Sequence, residues 1–244
     1  MDINSKNFDL EDVINYLKNP YYTNPGRFSF FSNVKYVLLS YLMCSMGIIA
    51  AGLIILSIDY TIVEYFGIDS IYKQIKATNT NVKTAFGNYS FVVVVFIVPL
   101  LEELIFRLPL NTKNSSIALA GSLLLFRFLN GGLLVADFSQ IVYWANIFVS
   151  VSFFLFTRKF LSKKLVFAIK NSNFKTWYYF ITISFGLVHI LNIKRMDLRL
   201  MLLYPLYVMP QIVMSIFLGN IRMQRGFIWG VVLHGLINSV SFLF

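Results

Sequence analysis

The chain has 244 residues, of which 57% are apolar and only 13% are charged, whereas soluble domains carry charge on about a quarter of their residues. So little charge cannot cover a globule that faces water, which excludes a soluble enzyme, a disordered protein and a disulfide scaffold. The single cysteine, Cys44, cannot form an internal disulfide. The net charge of +10 therefore indicates cytoplasmic loops beside anionic lipid, and we expect no nucleic-acid partner.

The first 33 residues form a polar segment that contains Pro20 and Pro25. They lack the basic start and the apolar core of a secretory signal. We predict that residues 1–33 are a polar cytoplasmic tail. Within it, residues 8–18 have the apolar spacing of a short amphipathic helix.

Beyond the tail, almost charge-free runs about as long as a membrane-spanning helix recur. The hydrocarbon core of a bilayer is about 30 Å thick, so a spanning helix needs roughly 20 apolar residues. The runs are 36–58, 84–101, 114–136, 138–157, 176–193, 200–221 and 226–244. They are too long for core strands and lack the alternation of an outer-membrane barrel. The sequence therefore predicts an all-α polytopic bundle of about seven spans (six to eight) over residues 34–244, with a polar connection at 59–83.

The distribution of basic residues predicts the orientation of the bundle. With seven spans, the N-terminal tail shares a side with the loops near 109–116, 158–175 and 219–226, and that side carries more lysine and arginine than the other. This asymmetry predicts a cytoplasmic N-terminus. The cluster from Arg158 to Lys175 is explained by a cytoplasmic loop beside anionic lipid.

Few ionisable residues lie within the apolar runs, and an ionisable side chain inside a membrane is a candidate for function because its burial is costly. Glu103 and Arg107 are four positions apart, in the favourable order for an ion pair on a helix. Glu102 is rotated by about 100° from Glu103, so one carboxylate can pair with the arginine while the other faces a cavity. Pro99 removes a backbone hydrogen bond and can kink the helix just before the pair.

The only two histidines, His189 and His234, both lie inside predicted spans. Phe185 precedes the first by four positions and Asn238 follows the second by four, which puts each pair on one helix face. Two histidines and a spare carboxylate on three spans can form a polar pocket in which a glutamate takes a proton from water and imidazoles hold an oxyanion. The same residues are also the ligand set of several hydrolytic zinc sites.

Three ordered motifs resemble those of the CPBP family, the intramembrane endopeptidases related to the type II CAAX prenyl protease and also called the Abi family. The motifs are Glu102-Glu103-x-x-x-Arg107, Phe185-x-x-x-His189 and His234-x-x-x-Asn238. The approach to the last motif, from Gly219 through Arg222, Arg225 and Trp229, is also similar. The resemblance covers about residues 90–244.

The resemblance implies a helix bundle around a polar cavity that hydrolyses a peptide bond in or near the membrane. By position, Glu102 would be the general base, supported by Glu103 and Arg107. His189 would contact the attacking water or the scissile carbonyl, and His234 with Asn238 would form the oxyanion pocket. We favour a mechanism without a metal, with Glu102, His189 and His234 as ligands if a divalent metal such as zinc is bound.

The chain departs from the family pattern in the distance between its first two motifs, which is longer than in relatives. Either an extra pair of spans, about 114–157, is inserted before the second motif, or Asn130 occupies the place of the histidine and His189 is additional. We favour the insertion. Arg127 has three interpretations: it snorkels to an interface, pairs with Asp137 or a core glutamate, or contacts a substrate carboxylate.

These observations favour a membrane-embedded endopeptidase of the plasma membrane of a bacterium. Its expected substrate is a membrane-associated peptide or protein, such as a lipid-proximal C-terminus, a peptide pheromone or a bacteriocin precursor. The alternative is a catalytically inactive relative that acts as an immunity factor or binds a partner membrane protein. A transporter ranks third, because the sequence has no inverted repeats.

Overall fold

The computed structural model describes residues 10–131, 138–193 and 196–243, and these residues form helices, turns and coil without a strand. The helices of the first half are α1 (Leu10–Lys18), α2 (Phe30–Phe66), α3 (Ile71–Phe86), α4 (Ser90–Val92) and α5 (Val98–Phe106). Those of the second half are α6 (Asn114–Asn130), α7 (Ile141–Phe160), α8 (Lys163–Asn171), α9 (Phe174–Val188), α10 (Tyr204–Tyr207), α11 (Met209–Arg225) and α12 (Phe227–Leu243). A π-helical turn, Val93–Ile97, joins α4 to α5. The expectation of an all-helical protein is therefore confirmed for the described residues.

Three helical stretches are long and apolar enough to cross a membrane, namely Phe30–Phe66, Thr84–Phe106 and Ile141–Phe160. The other apolar helices are shorter: α6, α11 and α12 have 17 residues each and α9 has 15. At about 1.5 Å per residue they are about 22–26 Å long. Three long apolar helices fit a membrane protein, whereas the count of seven spans stays a prediction.

Helix α2 continues well past Ile58, where the apolar run ends, to Phe66. The side chain of Ser29 caps its first turn by accepting a hydrogen bond from the Ser32 N–H. Gly67 ends the helix in the left-handed conformation, at φ 60°, and its N–H donates to the carbonyl of Val63. The start of the predicted polar connection at 59–83 is thus helical.

Helix α11 lies at the centre of the bundle, where it packs against α2, α9 and α12. The hydroxyl of Tyr36 in α2 donates to Asn220 Oδ1 over 2.6 Å. Gly219 lets α9 approach, because a Cβ at this position would lie 2.7 Å from the ring of Tyr178. Small residues at helix contacts and buried polar pairs are common where helices associate in membranes.

Helix α1 packs on this core although it lies within the predicted tail. Val13 and Tyr16 are buried in the same cluster as the residues of α9 and α11. The hydroxyl of Tyr179 in α9 donates to the carbonyl of Leu17. Phe8, which the amphipathic pattern includes, lies outside the described residues, and the boundary between tail and membrane domain stays a prediction.

Asp59 joins the end of α2 to two other elements. Its Oδ1 accepts hydrogen bonds from the backbone N–H groups of Ile71 and Tyr72 and from the hydroxyl of Tyr207, and its Oδ2 accepts one from Ser70. The carboxylate is buried and caps the first turn of α3, where N–H groups have no intrahelical acceptor. One acidic side chain therefore fixes how α2, α3 and α10 meet.

We expect Asp59→Asn to lower the free energy of unfolding by about 1–3 kcal/mol, because the amide NH₂ that replaces one oxygen cannot accept a hydrogen bond. The donors that now bind two oxygens are left with one. The measurement is thermal unfolding of the purified protein in detergent. Glu64→Gln is the matched control, since Glu64 is exposed in the same helix. Equal melting of the two variants would contradict this role of Asp59.

Candidate active site

The acidic pair lies on α5, immediately after an irregular stretch of helix. The π-helical turn Val93–Ile97 precedes α5, and Pro99 occupies its first turn. Because proline has no N–H, position 99 cannot donate to the carbonyl of Val95 or of Val94, four and five residues earlier. These two carbonyls need other partners inside an apolar helix bundle.

A residue of α12 provides a partner for one of them, the carbonyl of Val94. Asn238 Nδ2 donates to the carbonyl of Val94 over 3.0 Å. A Cβ at Gly235 would lie only 2.6 Å from the Val95 oxygen, so only glycine allows α12 this close to the turn. The amide of Asn238 thus contacts the backbone of the irregular helix and lies one helical turn beyond His234.

Glu103 is fully buried and contacts two basic groups through its Oε1. This oxygen lies 3.0 Å from His234 Nδ1 and 3.6 Å from Arg107 Nε. The guanidinium of Arg107 also stacks on the ring of Phe185, with Cζ 4.3 Å from the ring centroid, which is a cation–π contact. The structure therefore brings together the predicted pair of Glu103 and Arg107, and adds His234 and Phe185 to it.

Glu102 faces both histidines. Its Oε2 lies 3.5 Å from His234 Nε2, and its Oε1 lies 3.9 Å from His189 Nε2. The same Oε1 is 3.8 Å from Nη1 of Arg127 in α6. Three segments thus meet at this carboxylate of α5, namely α6, α12 and the 3₁₀ turn His189–Asn192 that follows α9.

Both imidazole rings are held through Nδ1. His189 Nδ1 lies 2.8 Å from the carbonyl of Phe185, and His234 Nδ1 contacts Glu103. The Phe185 ring lies between the two imidazoles, with centroid distances of 4.7 Å and 5.9 Å. Because each Nδ1 contacts an acceptor, each Nε2 is directed to Glu102. Phe185 therefore orients both histidines, one through its backbone and both through ring contacts.

The ring orientation resembles that of metal-binding histidines, whose second nitrogen contacts a carboxylate or a backbone carbonyl. Within the described residues, however, no group of three or more His, Cys, Asp or Glu side chains is arranged to hold a metal ion. The guanidinium of Arg127 beside Glu102 would also repel a divalent cation. The donor set of Glu102, His189 and His234 therefore fits a metal poorly.

The α6–α7 hairpin covers the predicted insertion at 114–157 and supplies Arg127 to the cluster. Of the three interpretations of Arg127, the structure agrees with pairing to a core glutamate, since Arg127 contacts Glu102. Asp137, the other proposed partner, lies outside the described residues. Asn130, the alternative to the histidine, donates to the carbonyl of Phe126 and accepts from Asn146 of α7. The side chain that faces Glu102 is that of His189, whereas Asn130 is engaged with α6 and α7.

Sequence reasoning missed the backbone positions that let α12 approach the acidic pair. A Cβ at Gly230 would lie 3.2 Å from Glu103 Oε2, so this glycine admits the carboxylate. Gly230 lies four positions before His234, and Gly235 directly follows it. Glycines beside a histidine in an apolar run are the signal that could have indicated these close approaches.

We expect Gly235→Ala to lower the free energy of unfolding by about 1–3 kcal/mol, because its methyl group overlaps the Val95 carbonyl and pushes α12 from the turn. Thermal unfolding in detergent measures the change. Gly52→Ala is the control, because a Cβ at Gly52 meets no atom within 4 Å. An unchanged melting temperature for Gly235→Ala would contradict the close contact.

Searches of protein-family models, of curated proteins and of solved structures found no match to this chain.

Proposed function

We propose that the protein is an intramembrane endopeptidase of the CPBP type, which hydrolyses a peptide bond of a membrane-associated peptide or protein. The observation that carries the proposal is the convergence of Glu102, His189 and His234, which come from three separate helical segments and are largely shielded from solvent. Two histidines around a carboxylate in a water-poor site are suited to general-base catalysis. The ordered triple of motifs supports the same function.

The proposal extends to the arrangement in the membrane. The chain crosses the bilayer of a bacterial cell about seven times, with its N-terminus in the cytoplasm. The excess of basic residues on the side of the N-terminus supports this orientation. Four of the seven helices are shorter than the average hydrocarbon core, which a bilayer accommodates by local thinning.

In the proposed reaction, Glu102 takes a proton from a water molecule, whose oxygen attacks the scissile carbonyl carbon. The distance from Glu102 to His189, 3.9 Å, exceeds a direct hydrogen bond and is short enough for one water to contact both side chains. The tetrahedral intermediate carries an oxyanion, which a protonated imidazole can stabilise through its Nε2–H, because each Nδ1–H is already directed to an acceptor. Glu102 then gives the proton to the leaving amine, and the C–N bond breaks.

The remaining residues support these groups. Glu103 fixes the ring of His234 through Nδ1, over 3.0 Å, and Arg107 balances the charge of Glu103. In the proposal, Asn238 also contributes to the oxyanion pocket. Its amide already donates one hydrogen bond to the carbonyl of Val94. A primary amide has a second N–H, which remains for the substrate.

We expect the Glu102→Gln variant to lose cleavage by about 1,000-fold or more, because glutamine cannot take a proton from water. Membranes of cells that express the wild type or a variant are labelled for new protein N-termini and compared by quantitative mass spectrometry. New termini in or beside membrane spans appear with the wild type. They are absent with Glu102→Gln, His189→Ala and His234→Ala.

Glu64→Gln is the matched control for this experiment, since it makes the same substitution at an exposed carboxylate of α2, outside the acidic cluster. Each variant is compared at equal abundance in the membrane. If the three site variants yield the same termini as the wild type, the protease proposal is wrong. A cellular phenotype that survives in Glu102→Gln would then favour the partner-binding alternative.

The zinc alternative has its own test, because the ring orientation of the histidines resembles that of zinc ligands. The purified protein is dialysed against zinc, washed and measured for bound metal by mass spectrometry. We expect the wild type and a His189→Ala variant to hold the same small amount, well below one ion per chain. Stoichiometric zinc in the wild type that disappears in His189→Ala would support a metal-dependent enzyme instead.

A further inference from the structure

A basic hollow lies at the far end of the α6–α7 hairpin from the acidic cluster. It has a volume of about 570 Å³ and is lined by side chains of α6, α7 and α8. Its lining residues are Asn114, Ser115, Arg158, Lys163, Val166, Phe167 and Lys170. Three of them are cations and none is acidic, so the hollow has the charge of an anion site.

The three cations come from separate positions around the hollow. Arg158 is in the last turn of α7, while Lys163 and Lys170 are at the two ends of α8. Lys170 is positioned by the ring of Tyr22, with Nζ 4.4 Å from the ring centroid. No ion pair among the described residues involves any of the three.

The first turn of α6 adds backbone donors to these side chains. The N–H groups of Asn114 and Ser115 belong to the first turn and so have no intrahelical acceptor. The N-cap residue, Lys113, makes no side-chain hydrogen bond to the helix that would replace one. The Asn114 side chain is itself held by the carbonyl of Leu161. Free N–H groups at the positive end of a helix suit a phosphate.

The location of the hollow indicates the source of that phosphate. Helix α7 is one of the three helices long enough to span a membrane, and Arg158 lies in its last turn, at the level where lipid headgroups begin. Helix α8 follows directly and has one buried apolar side chain, Val166. Phe167 lines the hollow and is 68% exposed, which gives apolar surface beside the charged one.

We propose that this hollow binds the phosphate of an anionic phospholipid headgroup, with Arg158, Lys163 and Lys170 as its cations. The site is separate from the acidic cluster and does not depend on the proposed protease activity. A bound phosphate contacts the end of α7, the helix α8 and the first turn of α6. It therefore connects these three helices, and α6 is the helix that carries Arg127. A defined pocket distinguishes this binding from the diffuse attraction of a basic loop to the membrane.

The test compares two triple variants that remove equal charge from the same region. The site variant is Arg158→Gln, Lys163→Gln and Lys170→Gln. The control variant is Lys159→Gln, Lys164→Gln and Lys175→Gln, whose residues are also exposed but do not line the hollow. All six side chains are exposed, so both variants should fold, which circular dichroism checks.

Binding is measured by native mass spectrometry of the purified protein in detergent, titrated with phosphatidylglycerol or with phosphatidylcholine of the same chains. We expect the wild type to retain one phosphatidylglycerol in preference to phosphatidylcholine. The site variant should bind it about tenfold or more weakly, because each basic group near a headgroup contributes to affinity. The control variant should differ from the wild type by less than about threefold.

Three results would overturn the proposal. Equal weakening in the two triple variants would mean that overall charge, and not this hollow, attracts the lipid. Equal retention of the two lipids by the wild type would remove the preference for an anionic headgroup. Displacement of phosphatidylglycerol by excess inorganic phosphate would assign the hollow to a soluble anion.

Discussion

The imidazole of His234 lies between two buried carboxylates, with Nδ1 3.0 Å from Glu103 and Nε2 3.5 Å from Glu102. Moving an ionised carboxylate into an apolar interior is costly unless charges and donors of opposite sign accompany it. Two such groups on adjacent residues need partners in two directions. The positions of α6, of α12 and of the 3₁₀ turn that follows α9 satisfy that need, because each of them brings a basic side chain to the pair.

The sequence predicted those features that depend on residues close together along the chain. The four-residue spacing of Glu103 and Arg107 predicts their pairing, which the structure has at 3.6 Å. Charge-free runs predict apolar helices, and the described residues are helical without strands. The rarity of ionisable residues in those runs singled out Glu102, His189 and His234, which do lie together. Whether these residues catalyse a reaction stays a prediction.

Contacts that depend on how helices pack could not be derived in this way. Arg127 had three interpretations, and only the packing of the hairpin on α5 selects the pair with Glu102. Asp59 is an acid at the end of an apolar run in the sequence, but in the structure it caps α3 and accepts from Tyr207. The burial of Val13 in the central core also depends on α11, which lies about 200 residues later in the sequence. None of these partners is marked by spacing along the chain.

Pro99 has a consequence for how this sequence can change over time. Its missing N–H leaves the carbonyl of Val94 to be paired by another helix. Asn238 donates a hydrogen bond to this carbonyl, and Gly235, which has no side chain, lets α12 come this close. The three positions therefore act together at one contact between α12 and the turn before α5. A substitution that restores an N–H at position 99 relaxes the demand on the other two, so these positions should drift together rather than independently in descendants of this chain.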